Sequence, residues 1–268
     1  MSDIHPSPIL ELRGIGRCFD SREAGATKNW VIKDLSFSVG QGEFVTIIGP
    51  SGSGKSTLLN LIAQADIPSA GEFYFRGSRI VLDTNRRLDP GFGRQIGYVT
   101  QDDNLLPWRT MIDNVLFPLD VQGTLNQKGR DRAHDLISAV GLKGFEKHYP
   151  HELSGGMRKR CALIRTLIYD PPVILMDEPF GALDPQTKQQ LQHDLMQLRA
   201  SGRKTIIFVT HDIGEAIILG DRTLVLSRAP TRILSDHAIE IPRPRDVRNT
   251  LSIPGFIELH EKIRAQVQ

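Results

Sequence analysis

Apolar and polar residues alternate along the first third of the chain. Ile9-Leu10-Glu11-Leu12-Arg13 and the stretch from Val31 to Val39 change character roughly every second residue, as half-exposed antiparallel strands do. Phe44-Val45-Thr46-Ile47-Ile48 breaks that rhythm with a continuous, largely β-branched run, which predicts a strand covered on both faces. This strand-rich reading extends from Ile9 to about Val81. Within it, Leu58, Leu59, Leu61 and Ile62 recur at helical spacing between Ser56 and Gln64, predicting a short helix. The middle, from about Asp102 to Tyr149, reads as helical, with breaks expected at Pro107, Pro118 and Gly123. Ala133, Leu136, Ile137 and Val140 share one face of a helix there. Buried strands return at Val173 to Met176 and at Thr205 to Val209, separated by a helix near Pro185 to Ala200. Strands alternating with helices predict a parallel sheet with helices on its faces. The segment Ile241-Pro242-Arg243-Pro244-Arg245 reads as extended and polar, and Phe256 to Val267 as a terminal amphipathic helix.

Composition narrows the picture. The chain has 268 residues, of which 40% are hydrophobic, enough for one large α/β unit with a smaller lobe and no need of disulfides. A formal net charge of +2 argues against a nucleic-acid partner. Lys and Arg are scattered, and Arg158-Lys159-Arg160 is the one short basic cluster. Each apolar run is far shorter than the ~20 residues of a membrane-spanning helix, and Met1 to Pro8 has no signal-peptide pattern. A membrane role would therefore require a separate membrane partner. Cys18 and Cys161 lack disulfide or metal-ligand spacing and read as free thiols.

The chemistry starts at Gly49-Pro50-Ser51-Gly52-Ser53-Gly54-Lys55-Ser56-Thr57. This is a GxxxxGK[ST] phosphate loop between a buried strand and an apolar-periodic helix. Its backbone N–H groups can converge on phosphate oxygens at a positive helix end. Lys55 is placed to reach the β- and γ-phosphates, and Ser56 to coordinate Mg²⁺. A second signal is Val173-Ile174-Leu175-Met176-Asp177-Glu178, a buried strand ending in two carboxylates. Asp177 suits the metal, and Glu178 suits orienting or deprotonating an attacking water. Ser154, Gly155 and Gly156 open an apolar helix; an ordinary capped helix or a second phosphate-binding helix end both fit them.

Leu153-Ser154-Gly155-Gly156-Met157 resembles the LSGGQ signature of ABC ATPases, with methionine in the fifth place. LSGGM, the wording Leu105-Leu106-Pro107-Trp108-Arg109-Thr110 and the tail Ile241 to Asp246 resemble the ATP-binding subunits of nitrate, sulfonate and taurine importers. The resemblance spans Ile9 to Pro244 and implies a P-loop (RecA-like) α/β core, an antiparallel β lobe and an inserted helical lobe. That gives an ATPase domain over 9–245, its helical lobe at about 102–160, and a tail over 246–268. It further implies that Gln101 contacts Mg²⁺ or the attacking water and that His211 contacts the γ-phosphate. Ala182-Leu183-Asp184 would cross to a second subunit. Phe19 would stack on adenine, although a buried phenylalanine fits that position too. The implied substrate is ATP, taken with Mg²⁺. Two copies would dock head to tail, each ATP lying between one phosphate loop and the other copy's Ser154-Gly155-Gly156.

The implied protein is a peripheral motor on the cytoplasmic face of the inner membrane. It would drive a separate permease fed by a periplasmic or lipid-anchored binding protein, for a small anion such as sulfonate, taurine or nitrate. Export or lipid handling, or a soluble ABC ATPase without a transporter, are the competing readings. Trp108 reads either as part of an exposed docking strip for the permease or as an anchor of the helical lobe's core. His148 and His151 read as surface residues rather than metal ligands.

Overall fold

The burial predicted for the two kinds of strand separates them into two sheets in the computed structural model, which describes residues 8–19, 29–80, 90–181, 183–200, 204–247 and 249–267. In chain order the elements are β1 (Leu10–Phe19), β2 (Asn29–Val39), β3 (Phe44–Ile48), α1 (Lys55–Ile62), β4 (Ala70–Phe75), β5 (Ser78–Ile80), α2 (Pro90–Gly93) and β6 (Ile96–Val99). Then follow α3 (Met111–Val121), α4 (Gln127–Ala139), α5 (Gly155–Leu167), β7 (Val173–Asp177), α6 (Pro185–Ala200), β8 (Thr205–Val209), α7 (Ile213–Leu219), β9 (Arg222–Leu226), β10 (Ile233–Ala238) and α8 (Phe256–Val267).

The partly alternating strands form an antiparallel sheet in the order β2-β1-β4-β5. The continuous apolar strands lie in the second sheet, ordered β10-β9-β3-β8-β7-β6. There β3, β6, β7, β8 and β9 run parallel and β10 closes one edge antiparallel. Every residue of β3, β7 and β8 is buried, as a strand covered on both faces requires.

Three apolar clusters hold the elements together. One fills the space between the two sheets and around α1, with Leu10, Ile15, Ile47, Leu58 and Leu175. A second covers the other face of the parallel sheet, where Phe208, Leu191, Ile217 and Ile263 meet. The third is the core of the helical lobe, with Met111, Val115, Ile137 and Cys161. Helix α5 belongs to two of them: Cys161 and Ile164 face the lobe while Leu163 and Leu167 face the sheet.

The structure corrects one expectation about the chain and adds a contact to another. Pro118 does not break the middle segment but lies inside α3. The helix is carried past it by packing of Val115, Leu116 and Leu119 into the lobe core, an instance of tertiary burial overriding a local penalty. The polar Ile241–Arg245 segment is anchored to the fold by its last residue. Arg245 is 5% exposed, and its guanidinium donates to the carbonyls of Ile217, Ile218 and Gly220 at the end of α7 and to those of Ile239 and Ile241. A fixed fork of five N–H donors satisfies carbonyls that a helix end leaves orphaned. Helix α8 forms where expected and buries Phe256 and Ile263 against the second cluster. Both cysteines are free thiols.

Candidate active site

Adjacent parallel strands end at one edge, and the chemistry-bearing segments follow from that. Ile47 of β3 and Asp177 of β7 both pair with Val209 of β8, and Met176 pairs with Val99 of β6. The loops leaving these four strands carry residues 49–54, Glu178, His211 and Gln101, at the carboxyl edge where α/β sheets bind ligands. They enclose a cleft of about 480 Å³ lined by Val31, residues 51–57, Gln101, Glu178 and His211.

The loop after β3 turns through Gly52 (φ 75°) and Gly54 (φ 77°) before α1 begins. A side chain at Gly54 would be strained by that φ and would also meet Val31 Cγ1 at 2.9 Å and Thr231 Oγ1 at 3.0 Å. Thr231 braces the loop by donating its hydroxyl to the Ser53 carbonyl. The Lys55 ammonium folds into the loop, donating to the carbonyls of Gly49 and Pro50 (both 2.9 Å) and to Ser53 Oγ (3.3 Å). Burial lowers the Lys55 pKa, opposed by the charges of Glu178 and Asp177.

Asp177 is 6% exposed. Burial raises its pKa, and a hydrogen bond from the Ser56 hydroxyl opposes that rise. A carboxylate beside a hydroxyl is an oxygen-only donor pair of the kind Mg²⁺ takes together with waters and phosphates. Among the described residues no group of three or more His, Cys, Asp and Glu side chains could hold a metal unaided; a phosphate-completed Mg²⁺ site needs none.

Glu178 adopts a left-handed backbone (φ 42°), held by its N–H on the Val209 carbonyl (3.0 Å) and its carbonyl on the Gly181 N–H (3.0 Å). That pinned turn brings Glu178 Oε2 to 3.0 Å from His211 Nδ1. His211 otherwise projects outward, its side chain 70% exposed.

Gln101 sits in a segment gripped by α5. Lys159 donates to the Gln101 carbonyl, Arg158 pairs with Asp103 (2.9 Å), and Arg165 donates to the carbonyls of Asp103 (2.8 Å) and Asn104 (2.7 Å). Two members of the basic cluster noted in the sequence are therefore internal staples.

The remaining expected site residues do not line the cleft. Ser154 caps α5 by accepting the Met157 N–H (3.3 Å). Gly156 packs so closely on α6 that an added Cβ would lie 2.6 Å from Thr187 Cγ2. Met157 is half-buried against the helical-lobe core, so the fifth signature position faces its own lobe. Asp184 is exposed and accepts the Thr187 N–H at 3.0 Å; Ala182 beside it lies outside the described residues. Phe19 is 42% exposed, not buried, and one side of its ring is covered by the Arg17 guanidinium at 4.5 Å. Trp108 is 71% exposed, so it does not anchor the lobe. His151 is on the surface as expected, but His148 is half-buried, with Nδ1 enclosed.

Sequence reasoning missed Val31 and Thr231. Their contribution comes from packing across sheets and leaves no motif. A larger hollow of about 1220 Å³ borders α6 and residues 243–247 but shares no residue with the cleft. The guanidinium groups of Arg199 and Arg243 on its wall are engaged by Asp221.

Comparison with known proteins agrees with this geometry. The family profile described as ABC transporter matches residues 32–181. An uncharacterised ABC transporter ATP-binding protein of Methanocaldococcus jannaschii is 42% identical over 87% of this chain and 82% of its own. An aliphatic sulfonates import ATP-binding protein of Bacillus cereus is 38% identical over 92% of each chain. A taurine import ATP-binding protein of Pseudomonas syringae is 38% identical over 97% of this chain and 95% of its own. Among solved structures, a dimeric ATP-binding cassette in a post-hydrolysis state, bound to ADP and Pi, aligns with a TM-score of 0.74 and 33% identity. That alignment covers 86% of this chain and 99% of that one. With its phosphate loop, paired acids and signature helix on one such scaffold, the chain belongs to the ABC transporter family as an ATP-binding, ATP-hydrolysing cassette.

Proposed function

We propose that this cassette is the motor of an importer for a small anion such as a sulfonate, taurine or nitrate. It would work as a homodimer on the cytoplasmic face of the inner membrane and drive a separate permease served by a substrate-binding protein. The cassette would occupy residues 9–245 with its helical lobe over about 102–160, and 246–268 would be an appended helical tail. One observation carries the catalytic part: Glu178 and His211, from neighbouring strands, meet at 3.0 Å at the mouth of the phosphate-loop cleft. The importer part is supported by the sulfonate and taurine importers among the relatives. It is also supported by the exposure of Trp108 in the segment after Gln101, where a permease helix would dock.

In this reading the loop amides and Lys55 bind the β- and γ-phosphates, and Lys55 exchanges a loop carbonyl for a phosphate oxygen. Ser56, Asp177 and Gln101 would hold Mg²⁺, which neutralises charge on the phosphates when bound. With its proton on Nδ1, His211 donates to one oxygen of Glu178 and turns the other toward water. Glu178 takes a proton from that water as its oxygen bonds to the γ-phosphorus and the bond to the ADP oxygen breaks. Phe19 would stack on adenine with Arg17 behind it. Ser154, Gly155 and Gly156 of a second copy, with that copy's Asp184 segment, would close over the nucleotide.

The test is co-purification of tagged Glu178→Gln protein with ATP and Mg²⁺ in mild detergent, with bound proteins identified by mass spectrometry. The importer reading expects a polytopic membrane protein accompanied by a binding protein. A membrane partner without a binding protein would replace import by export, and recovery of soluble partners alone would remove the transport role.

A further inference from the structure

His211 stands between two residues, Thr210 and Asp212, whose side chains both bond to Glu215 of α7. The Thr210 hydroxyl donates to Glu215 Oε2, and the Asp212 N–H donates back to Thr210 Oγ1 at 3.0 Å. Asp212 Oδ1 accepts the Glu215 N–H at 3.1 Å, capping α7. Both acids then converge on one cation: Lys188 Nζ lies 2.9 Å from Asp212 Oδ2 and 2.7 Å from Glu215 Oε1. Glu215 is only 6% exposed, and Gln192 adds a contact to its Oε1 at 3.4 Å. Lys188 sits on the first turn of α6, where its N–H donates to the Asp184 carbonyl at 3.0 Å.

We propose that Lys188 is a positioning residue for turnover: by gripping Asp212 and Glu215 it fixes the turn that presents His211 to Glu178 and ties that pair to the Asp184 segment. The inference rests on the roles given above to Glu178, His211 and Asp184. The physical reason is charge balance in a partly dry place. Without the ammonium, two carboxylates one helical turn apart, one of them buried, face each other unpaired. The cheapest relief is a movement of the turn that carries His211. The same link would let a second copy, pressing on Asp184, adjust the catalytic pair. Lys188 lines no part of the cleft, so its loss should spare nucleotide binding.

The test compares steady-state ATP hydrolysis by full-length Lys188→Met, Lys188→Arg, His211→Ala and the Lys188→Met/His211→Ala double variant, with Glu178→Gln alongside. Misplacing a reacting group by about 1 Å can cost on the order of 10²-fold. Lys188→Met is therefore expected to lower kcat by roughly 10- to 100-fold while KM for ATP stays within about twofold. Lys188→Arg should recover most of the rate, and the double variant should be no slower than His211→Ala, because the lysine acts through the histidine. A parent-like kcat for Lys188→Met, an unrescued Lys188→Arg, or additive losses in the double variant would overturn the proposal. If Lys188→Met does not fold, Asp212→Asn keeps the helix cap and removes one charge, and a kcat that stays at the parent value there overturns it equally. Should His211→Ala and Glu178→Gln themselves turn over normally, the catalytic reading fails. If they lose turnover and Lys188→Met does not, only the role of Lys188 fails.

Discussion

Gln64 offers a stability prediction that runs against the usual expectation for a buried side chain. It follows the last turn of α1, where the Ala65 N–H reaches the Asn60 carbonyl at 2.9 Å and the Gln64 N–H reaches the Leu61 carbonyl at 3.2 Å. That pair of bonds is the Schellman closure of a helix, whose C′ residue is usually glycine because it must be left-handed. Here the position is a glutamine at φ 57°, at a cost of ~1 kcal/mol. The residue is 5% exposed, and among the described residues neither Nε2 nor Oε1 has a hydrogen-bond partner, a further ~1–3 kcal/mol of desolvation.

Two substitutions separate these contributions. Gln64→Met keeps the length and apolar stem but removes the amide, so it should stabilise by about 1–3 kcal/mol while the backbone strain remains. Gln64→Gly relieves both costs. Against that it loses two buried methylenes at ~0.8 kcal/mol each and adds ~0.5–1 kcal/mol of chain entropy, leaving a net gain of about 1 kcal/mol. Urea unfolding followed by circular dichroism in the absence of nucleotide would read both, since bound ATP would add its own stabilisation. In a thermal melt each kcal/mol should appear as about 2–4 °C. A fall in the urea midpoint for Gln64→Met would show that the amide is satisfied in the folded protein, and the reasoning would be refuted.

Three further outcomes are expected. Glu178→Gln should bind ATP normally and lose about 10²–10⁴-fold in turnover, the usual worth of a general base; a parent-like rate in a coupled phosphate-release assay would remove Glu178 from the mechanism. Ser154→Arg should abolish turnover while nucleotide binding by the isolated chain, followed with a fluorescent ATP analogue, stays within about twofold, because Ser154 lines no part of its own cleft. Loss of binding would mean that the signature serves the same chain's nucleotide. For Asp221, burial would raise the pKa but is outweighed by Arg199, the Phe44 N–H and Arg243, so the folded pKa lies below the unfolded one. Its stabilisation is then fully present above the unfolded value, near pH 4, and is lost as pH falls through the folded value. Unfolding midpoints measured from pH 6 downward should drop less steeply for Asp221→Asn, starting from a lower plateau.

How much of this was legible in the sequence depends on how local the cause was. The parallel strands could be read because burial on both faces forces continuous apolar runs, as in Phe44–Ile48 and Val173–Met176. The phosphate loop, the paired acids and Ser154-Gly155-Gly156 could be read because each needs particular residue types at adjacent positions. Pro118 was misjudged because its local penalty is visible in sequence while the lobe core that outweighs it is not. The burial of Arg245 was not legible for the converse reason. A charged residue just after a proline and before an aspartate looks solvent-bound until the end of α7 supplies carbonyls for it across 25 to 28 residues of chain. The Lys188 cluster had no motif either: its three charged members come from two helices and a turn, brought together only when α6 crosses beside α7.

The long-range contacts that sequence did not reveal share a physical role. Arg158, Lys159 and Arg165 hold the Gln101 segment to α5, Lys188 holds the His211 turn to α6, and Arg245 closes the end of α7. In each case a long cation with several donors reaches between elements and satisfies carbonyls or carboxylates that apolar packing could not. Apolar contacts are non-directional and would hold the helices against the sheet over a range of small displacements. Hydrogen bonds to a charged donor are short and angle-dependent, so they select one displacement from that range. If nucleotide is to be held between the loop of one copy and the signature helix of another, that choice matters. The Gln101 segment and α5 are joined by four such contacts spread along the helix, from Arg158 and Lys159 near its start to Arg165 in its last turn, so they can change position as a unit more easily than relative to each other. In such a pair the same chemistry that holds the Gln101 segment of one cleft would also set the orientation of the surface offered to the other.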